Sequence, residues 1–357
     1  MFLPSSIDEV TPSWLGQVLV DSGTLEAGDR ITWLDHECVG AGIGLLGDLH
    51  RVCFRSDAGR ESSVVVKLPA DNELRRTADA LGVYRREIDF YREVAPTVPI
   101  RSARVHLALP AEESTDFVLV LEDLGGLTAA DQLGGLVGGQ AEGAIDAVAQ
   151  LHAWAWEDRT RLGELGDRFP PLRNETTRAL YPSYFESGWA SYLSHASREP
   201  GAALRAAADR WIDQLPGFLD ELAWPDTLCH GDYRADNLFF DEDGSVVMID
   251  FQMTHQGCGI SDVAYLVSQS VEDADLGDHE RLVRRYCDAL EAAGVTYSWD
   301  AAWRQYRIAV VFHLVEAVVT TLSWPSLGTR GRQLVLRLVE RAERAIEVTG
   351  AVSLMPS

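Results

Sequence analysis

Two hydrophobic periods divide the chain. Up to about residue 121 the apolar positions come in short β-branched runs: Ile31 to Val39, Leu49 to Phe54, Ser63 to Lys67 and Phe117 to Leu121. Such runs, bounded by glycine and polar residues, predict strands. Two helices are predicted among them. One starts at Thr11-Pro12, a cap followed by proline, and runs to about Asp21. The other covers about Ala78 to Val94, where Leu81, Tyr84, Ile88 and Tyr91 fall near helical spacing. Beyond residue 126 the helical period dominates. It predicts helices over Gly139 to Asp158, Asp278 to Ala293, from an Asp300 cap to about Leu322, and over Gly331 to Val348. One stretch interrupts them. Phe239-Phe240, the turn Asp241-Glu242-Asp243-Gly244 and the run Val246 to Ile249 read as a tight hairpin. The class is α+β, strand-rich first and mostly helical after.

Length supports this division, since 357 residues can fill two lobes with a sizeable core. No internal repeat or low-complexity segment is present. The net charge of −24 argues against a nucleic-acid partner, whose phosphates need a basic surface. It permits a cationic acceptor, and equally serves solubility. The first twenty residues carry Asp8 and Glu9 and no basic or long apolar segment, so no signal peptide is expected. The most apolar late run, Ile308 to Leu322, holds His313 and Glu316 and is expected to be too short to span a bilayer. No membrane and no protein partner are implied. The five cysteines (38, 53, 229, 258 and 287) are scattered and lack metal spacing, which fits reduced thiols and a cytoplasmic protein.

The chemistry gathers around the hairpin. It sets Asn237 and Asp250 at neighbouring strand ends, and Asp232 stands five residues before Asn237. An amide oxygen and a carboxylate converging there make a hard-oxygen site suited to Mg2+ holding phosphates. A second carboxylate beside it, Asp232, can orient a hydroxyl nucleophile. Far upstream, Lys67 is the sole lysine among 31 basic residues, and it lies on a predicted buried strand. A compact ammonium is retained there where arginine, a wide planar fork, is otherwise used throughout. Gly42, Gly44 and Gly47 satisfy G-x-G-x-x-G. A dinucleotide-binding reading needs a helix directly after them. A strand follows instead, so the glycines sit at a hairpin tip, either as a phosphate cover or as a plain flexible turn.

His230-Gly231-Asp232, then Asn237, then Ile249-Asp250-Phe251 resemble the catalytic and metal-binding segments of the aminoglycoside phosphotransferase and choline kinase families. These are small-molecule kinases of the protein-kinase-like fold, which implies a small antiparallel-sheet lobe with one main helix and a larger, mostly helical lobe. The resemblance implies Asp232 as the catalytic carboxylate and Asn237 and Asp250 as Mg2+ ligands. It implies ATP as phosphoryl donor, with GTP not excluded, held by Gly42, Gly44, Gly47 and Lys67. Glu87 is expected to pair with Lys67, with Asp89 and Glu93 as rivals on the same helix. Residues 1–121 become the nucleotide-binding lobe and 122–126 the hinge, where Glu122 and Leu124 meet adenine through backbone. Residues 127–357 become the catalytic and acceptor-binding lobe. Within it, 159–225 is an acceptor-wall subdomain whose aromatics (Tyr181, Tyr184, Phe185, Trp189, Tyr192, Trp211 and Trp224) serve core packing first. Asp262, in Gly259-Ile260-Ser261-Asp262, is expected to brace the catalytic loop, and His152 to be a packed core histidine.

Departures from the protein-kinase pattern narrow the class. Gly231 replaces the arginine of H-R-D, and Gln252 the glycine of D-F-G. Asp262 stands only twelve positions after Asp250, leaving no room for an activation loop or a peptide platform. The acceptor is therefore expected to be a small-molecule hydroxyl. The first reading is a kinase of an antibiotic (aminoglycoside, macrolide or nucleoside type) or related natural product. The second is a metabolic kinase of choline, a sugar, an amino alcohol, a sterol-like alcohol or a hydroxyacyl thioester. The third, from another class, is a nucleotide-binding pseudokinase scaffold.

Overall fold

The computed structural model describes residues 1–39, 47–69, 82–111, 114 and 116–355. Its chain forms two compact units, one of residues 1–97 and 101–127, the other of 98–100 and the residues from 128 onward.

The first unit is a five-stranded antiparallel sheet. Its strands are β1 (Ile31–Cys38), β2 (Gly47–Ser56), β3 (Glu61–Pro69), β4 (Val105–Pro110) and β5 (Phe117–Glu122), in the order β1-β2-β3-β5-β4. Strand alternation assigns its two faces. Val64, Val66 and Leu68 of β3 and Val118 and Val120 of β5 point to one side. There they pack on Trp14, Leu15, Val18 and Leu19 of helix α1 (Pro12–Asp21). Each large aliphatic side chain so buried contributes about 1.5–3 kcal/mol. The Thr11 hydroxyl accepts the Trp14 amide at 3.2 Å, so the predicted cap is the observed one. Lys67, one residue out of step with Val66 and Leu68, lies on the opposite face. Helix α2 (Val83–Asp89) runs on through a π-turn, Phe90–Val94. Tyr84, Glu87, Ile88 and Tyr91 form its buried stripe, and Tyr84 packs on Phe117 at 5.1 Å. The first turns expected for this helix, from Ala78, lie outside the described residues.

The sheet extends one residue past the expected lobe end, and the unit continues to Leu127. The reason is local. Asp123 accepts from Arg51 Nε at 2.8 Å and from Ser63 Oγ at 2.6 Å, tying the segment after β5 to β2 and β3.

The second unit is mainly helical. Its helices include α3 (Gln140–Ala155), α4 (Arg159–Leu165), α5 (Glu175–His195) and α6 (Ala202–Glu221). Next come α7 (Ile260–Ser270), α8 (Leu276–Ala292), α9 (Trp299–Phe312), α10 (Leu314–Val319) and α11 (Thr329–Val348). The α9 cap is Ser298, whose hydroxyl accepts the Ala301 amide at 3.4 Å, and not Asp300, which lies in the first turn. The expected single helix to Leu322 is broken at His313 and ends in a 3-10 stretch, Thr320–Ser326. Trp299 to Ser326 is, against expectation, long and apolar enough to cross a membrane by length and composition. Most of its apolar window is buried inside the unit, as in the core helix of a globular domain. The predicted hairpin is present as β6 (Leu238–Phe240) and β7 (Val246–Met248), with Leu238 opposite Met248. Gly244 closes its turn at φ +84°, a conformation glycine adopts without strain. Two further strands, Asp226–Cys229 and His255–Cys258, pair antiparallel and flank the segment that carries the chemistry.

Candidate active site

In the first unit the centre of interest is a buried ion pair. Lys67 Nζ meets Glu87 Oε2 at 2.6 Å, with side chains only 7% and 2% exposed. The rivals are disposed of by geometry. Both oxygens of Asp89 accept from Arg85 Nε one turn earlier, and Glu93 is exposed. A buried ammonium in contact with a carboxylate is held in a fixed place. Gly47 opens β2 beside this lysine. A Cβ on Gly47 would stand 2.7 Å from Lys67 Cε, so its missing side chain is what gives the lysine its path. Gly42 and Gly44 lie outside the described residues. Of the two hinge candidates, Glu122 already donates its amide to the Arg104 carbonyl at 2.8 Å. The carbonyl of Leu124 accepts the Leu127 amide at 2.9 Å, and its own amide makes no bond among the described residues. Leu124 thus keeps a free donor and Glu122 does not.

In the second unit the loop 229–237 is held from below by one carboxylate. Asp262, 1% exposed at the start of α7, accepts the amide of His230 at 2.6 Å, the amide of Gly231 at 2.9 Å and His152 Nε2 at 3.0 Å. Burial works to raise its pKa, but the bond and charge of His152 prevail and hold it at about 2. His152 is fully buried and in turn meets the Tyr286 hydroxyl at 2.8 Å, so it orients the brace. Gly231 has φ +82°, and a Cβ there would come within 2.2 Å of the Met253 carbonyl. That explains why this chain has glycine, and not arginine, in the motif. His230 Nε2 lies 3.0 Å from the Ile249 carbonyl, an acceptor, while Nδ1 faces the Asp232 amide, a donor, at 3.3 Å. The two neighbours call for a donor at Nε2 and an acceptor at Nδ1.

Above this brace stand the three predicted residues. Asn237 donates Nδ2 to the Asp232 carbonyl at 2.8 Å and to Asp232 Oδ2 at 2.9 Å. The donor side of the amide is thereby spent, and its oxygen is one that could hold a cation. The Ile249 amide donates to the Asn237 carbonyl at 3.1 Å, so the hairpin register sets Asp250 one step beyond Asn237. Asp250 itself has φ +65°, a left-handed conformation that costs a non-glycine residue about 1–3 kcal/mol. Arg234 was not among the expected site residues. Its Nε donates to Asp232 Oδ1 at 3.0 Å and its Nη1 to Asp236 Oδ2 at 2.9 Å. Burial works against its charge, yet Asp232, Tyr265, Asp236 and Asp250 together raise its pKa.

Other candidates fall away from the chemistry. Cys229 is fully buried, and burial pushes its thiol far up, so it is no nucleophile. His152, Cys229 and Asp262 are close enough to share a metal. However, both Asp262 oxygens and both His152 nitrogens are already engaged. His313 is buried, bonded to Ser261 Oγ at 2.8 Å, with Glu316 at 3.3 Å. The aromatics of the 159–225 region chiefly pack: Phe185 stacks on Trp211 at 4.4 Å and Tyr181 on Phe312 at 6.0 Å.

The model of the phosphotransferase enzyme family matches residues 45–306, well over half of the chain. The chain belongs to this family. It is an enzyme that moves a phosphoryl group to a small molecule. Solved structures agree on the fold. A choline kinase from Cryptosporidium parvum Iowa II shares 12% identity at TM-score 0.55, covering 90% of this phosphotransferase and 89% of that chain. A mutant aminoglycoside 2'-phosphotransferase-IIIa in its GDP complex shares 14% at TM-score 0.54, covering 91% and 95%. An amicoumacin kinase in complex with AMP-PNP, Ca2+ and Ami shares 15% at TM-score 0.53, covering 86% and 87%. At these identities the likeness establishes the protein-kinase-like fold of this phosphotransferase. No curated protein matches its sequence significantly.

Proposed function

We propose that the enzyme transfers the γ-phosphate of ATP to a hydroxyl of an antibiotic or related natural product. The observation that carries this reading is the pairing of Asn237 with Asp232. One amide nitrogen holds the carboxylate in place while the amide oxygen faces away from it. Asn237 and Asp250 would hold Mg2+, and their donor set, amide oxygen plus carboxylate, is what that ion takes. When bound, the ion supplies charge to the β and γ phosphates. Lys67, fixed by Glu87, would neutralise the α and β phosphates. Leu124 would offer its free amide to the purine edge, and Gly42, Gly44 and Gly47 would cover the phosphates. Asp232 would accept the hydrogen bond of the acceptor hydroxyl, align it for attack and take its proton late. Because the transition state is loose, such positioning and charge account for most of the acceleration.

Neighbours that act on amicoumacin and on aminoglycosides, by their descriptions, support an antibiotic acceptor. The choline kinase neighbour supports the second reading, a metabolic alcohol. The test is Mg2+-dependent ATP consumption against aminoglycosides, macrolides, nucleoside antibiotics, choline and simple sugars. Asp232→Asn is the control. Turnover with one acceptor, lost by at least about a hundredfold in the variant, is expected. Nucleotide binding with no turnover for any acceptor would favour a scaffold. Turnover that survives Asp232→Asn would overturn the assignment of the carboxylate.

A further inference from the structure

We propose that Arg234 and Asp236 are positioning residues for the reaction, the near end of a brace that aims Asp232. This rests on Asp232 acting as proposed above. The brace is continuous in the hydrogen bonds. Asp232 Oδ1 accepts from Arg234 Nε at 3.0 Å, and Arg234 Nη1 donates to Asp236 Oδ2 at 2.9 Å. Asp236 is itself anchored, because its Oδ1 accepts the backbone amide of Gln132 at 2.9 Å. The Gln132 side chain donates to the Gln269 carbonyl at 2.7 Å and accepts from Ser270 Oγ at 3.2 Å. That same Ser270 oxygen accepts the Ala235 amide at 3.0 Å, so both residues that follow Arg234 are gripped. At the far end Arg341 of α11, 5% exposed, donates to the carbonyls of Gln132 at 2.6 Å and Gln269 at 3.0 Å.

The arrangement has a clear physical purpose. Asp232 receives Asn237 on one oxygen and Arg234 on the other, and the buried Tyr265 hydroxyl also bonds to it, so its carboxylate plane is fixed from several sides. A carboxylate offers about four lone-pair sites, so one is left for an acceptor hydroxyl. A lone arginine would swing with its flexible stem. Asp236, locked to a backbone amide, removes that freedom before substrate arrives. Arg234 also stands among Asp232, Asp236 and Asp250, where a positive charge keeps three neighbouring acids from repelling one another apart.

The experiment measures ADP release from Mg2+-ATP with water as the only phosphoryl acceptor. It compares wild type with Asp232→Asn, Asp236→Asn, Arg234→Met and the Asp236→Asn/Arg234→Met double variant. Loss of wild-type turnover in Asp232→Asn establishes the underlying reading independently. Asp236→Asn is then expected to lower kcat at least about tenfold with KM for ATP within about twofold. The double variant is expected to be no slower than Arg234→Met alone, since the two act as one unit. Hydrogen exchange over residues 230–237 gives a readout besides activity, and Asp236→Asn is expected to speed it. Unchanged kcat, an equal change in KM, additive losses in the double variant, or unchanged exchange would each overturn the brace.

Discussion

Replacing Asp262 by asparagine is the most informative perturbation of the fold around the site. Its carboxylate, 1% exposed, receives two loop amides and one imidazole N–H, at 2.6, 2.9 and 3.0 Å. Its pKa falls from an ordinary 3.8 to about 2. At about 1.4 kcal/mol per unit, this linkage contributes about 2 kcal/mol to stability at neutral pH. The sign follows from the direction. A depressed acid stabilises above its unfolded pKa, and the contribution fades as pH falls from about 4 through about 2. Asparagine offers one acceptor oxygen and turns an NH2 group toward donors. At least one buried N–H then loses its partner, which adds about 1–3 kcal/mol. The expected total is about 3–5 kcal/mol, typical of breaking a buried charged network. Urea unfolding at pH 7 and pH 4 measures it. The gap between wild type and variant is expected to be flat over that range and to narrow only below it. Turnover is expected to fall about a hundredfold, because the amides of His230 and Gly231 set the position of Asp232. A loss under about 1 kcal/mol, or a gap that closes between pH 7 and pH 5, would refute the reasoning.

Gly231→Ala is expected to abolish turnover and lower Tm, measured by calorimetry, since a Cβ at 2.2 Å from the Met253 carbonyl and a φ of +82° cannot both be relieved. Glu87→Gln removes the carboxylate 2.6 Å from the Lys67 ammonium. Chemical denaturation is expected to show a loss of about 3 kcal/mol, with a weakened grip on ATP in a binding titration. Thiol labelling of the native protein is expected to modify the exposed Cys38 and to leave the buried Cys229, its thiol raised far above the ordinary range by burial, untouched until unfolding.

Much of the site is written locally. The Asp232 to Asp250 stretch carries its own geometry, because a two-strand hairpin fixes register over a few residues. Asn237 and Asp250 are therefore aligned by the turn between them. Lys67 is legible from composition, and its partner from helical spacing, though only tertiary packing separated Glu87 from Asp89 and Glu93. Helix ends were less legible. Asp300 and Ser298 are both good caps, and which of them binds an amide depends on the backbone entering the turn. The apolar run near the C-terminus shows the same limit. Hydropathy registers burial and cannot say whether protein or lipid provides it.

The sequence alone determined the class and the order of elements, and it named the residues proposed to meet phosphate and metal. Their side-chain types and short spacings are local and chemically specific. Tertiary structure alone decided what holds those residues still. Gln132 reaches Asp236, and Arg341 reaches Gln132, across separations of over a hundred positions, through backbone amides and carbonyls that leave no trace in residue type. A side chain's chemistry is inherited from its identity. Its aim comes from the hydrogen bonds that the folded chain brings to it.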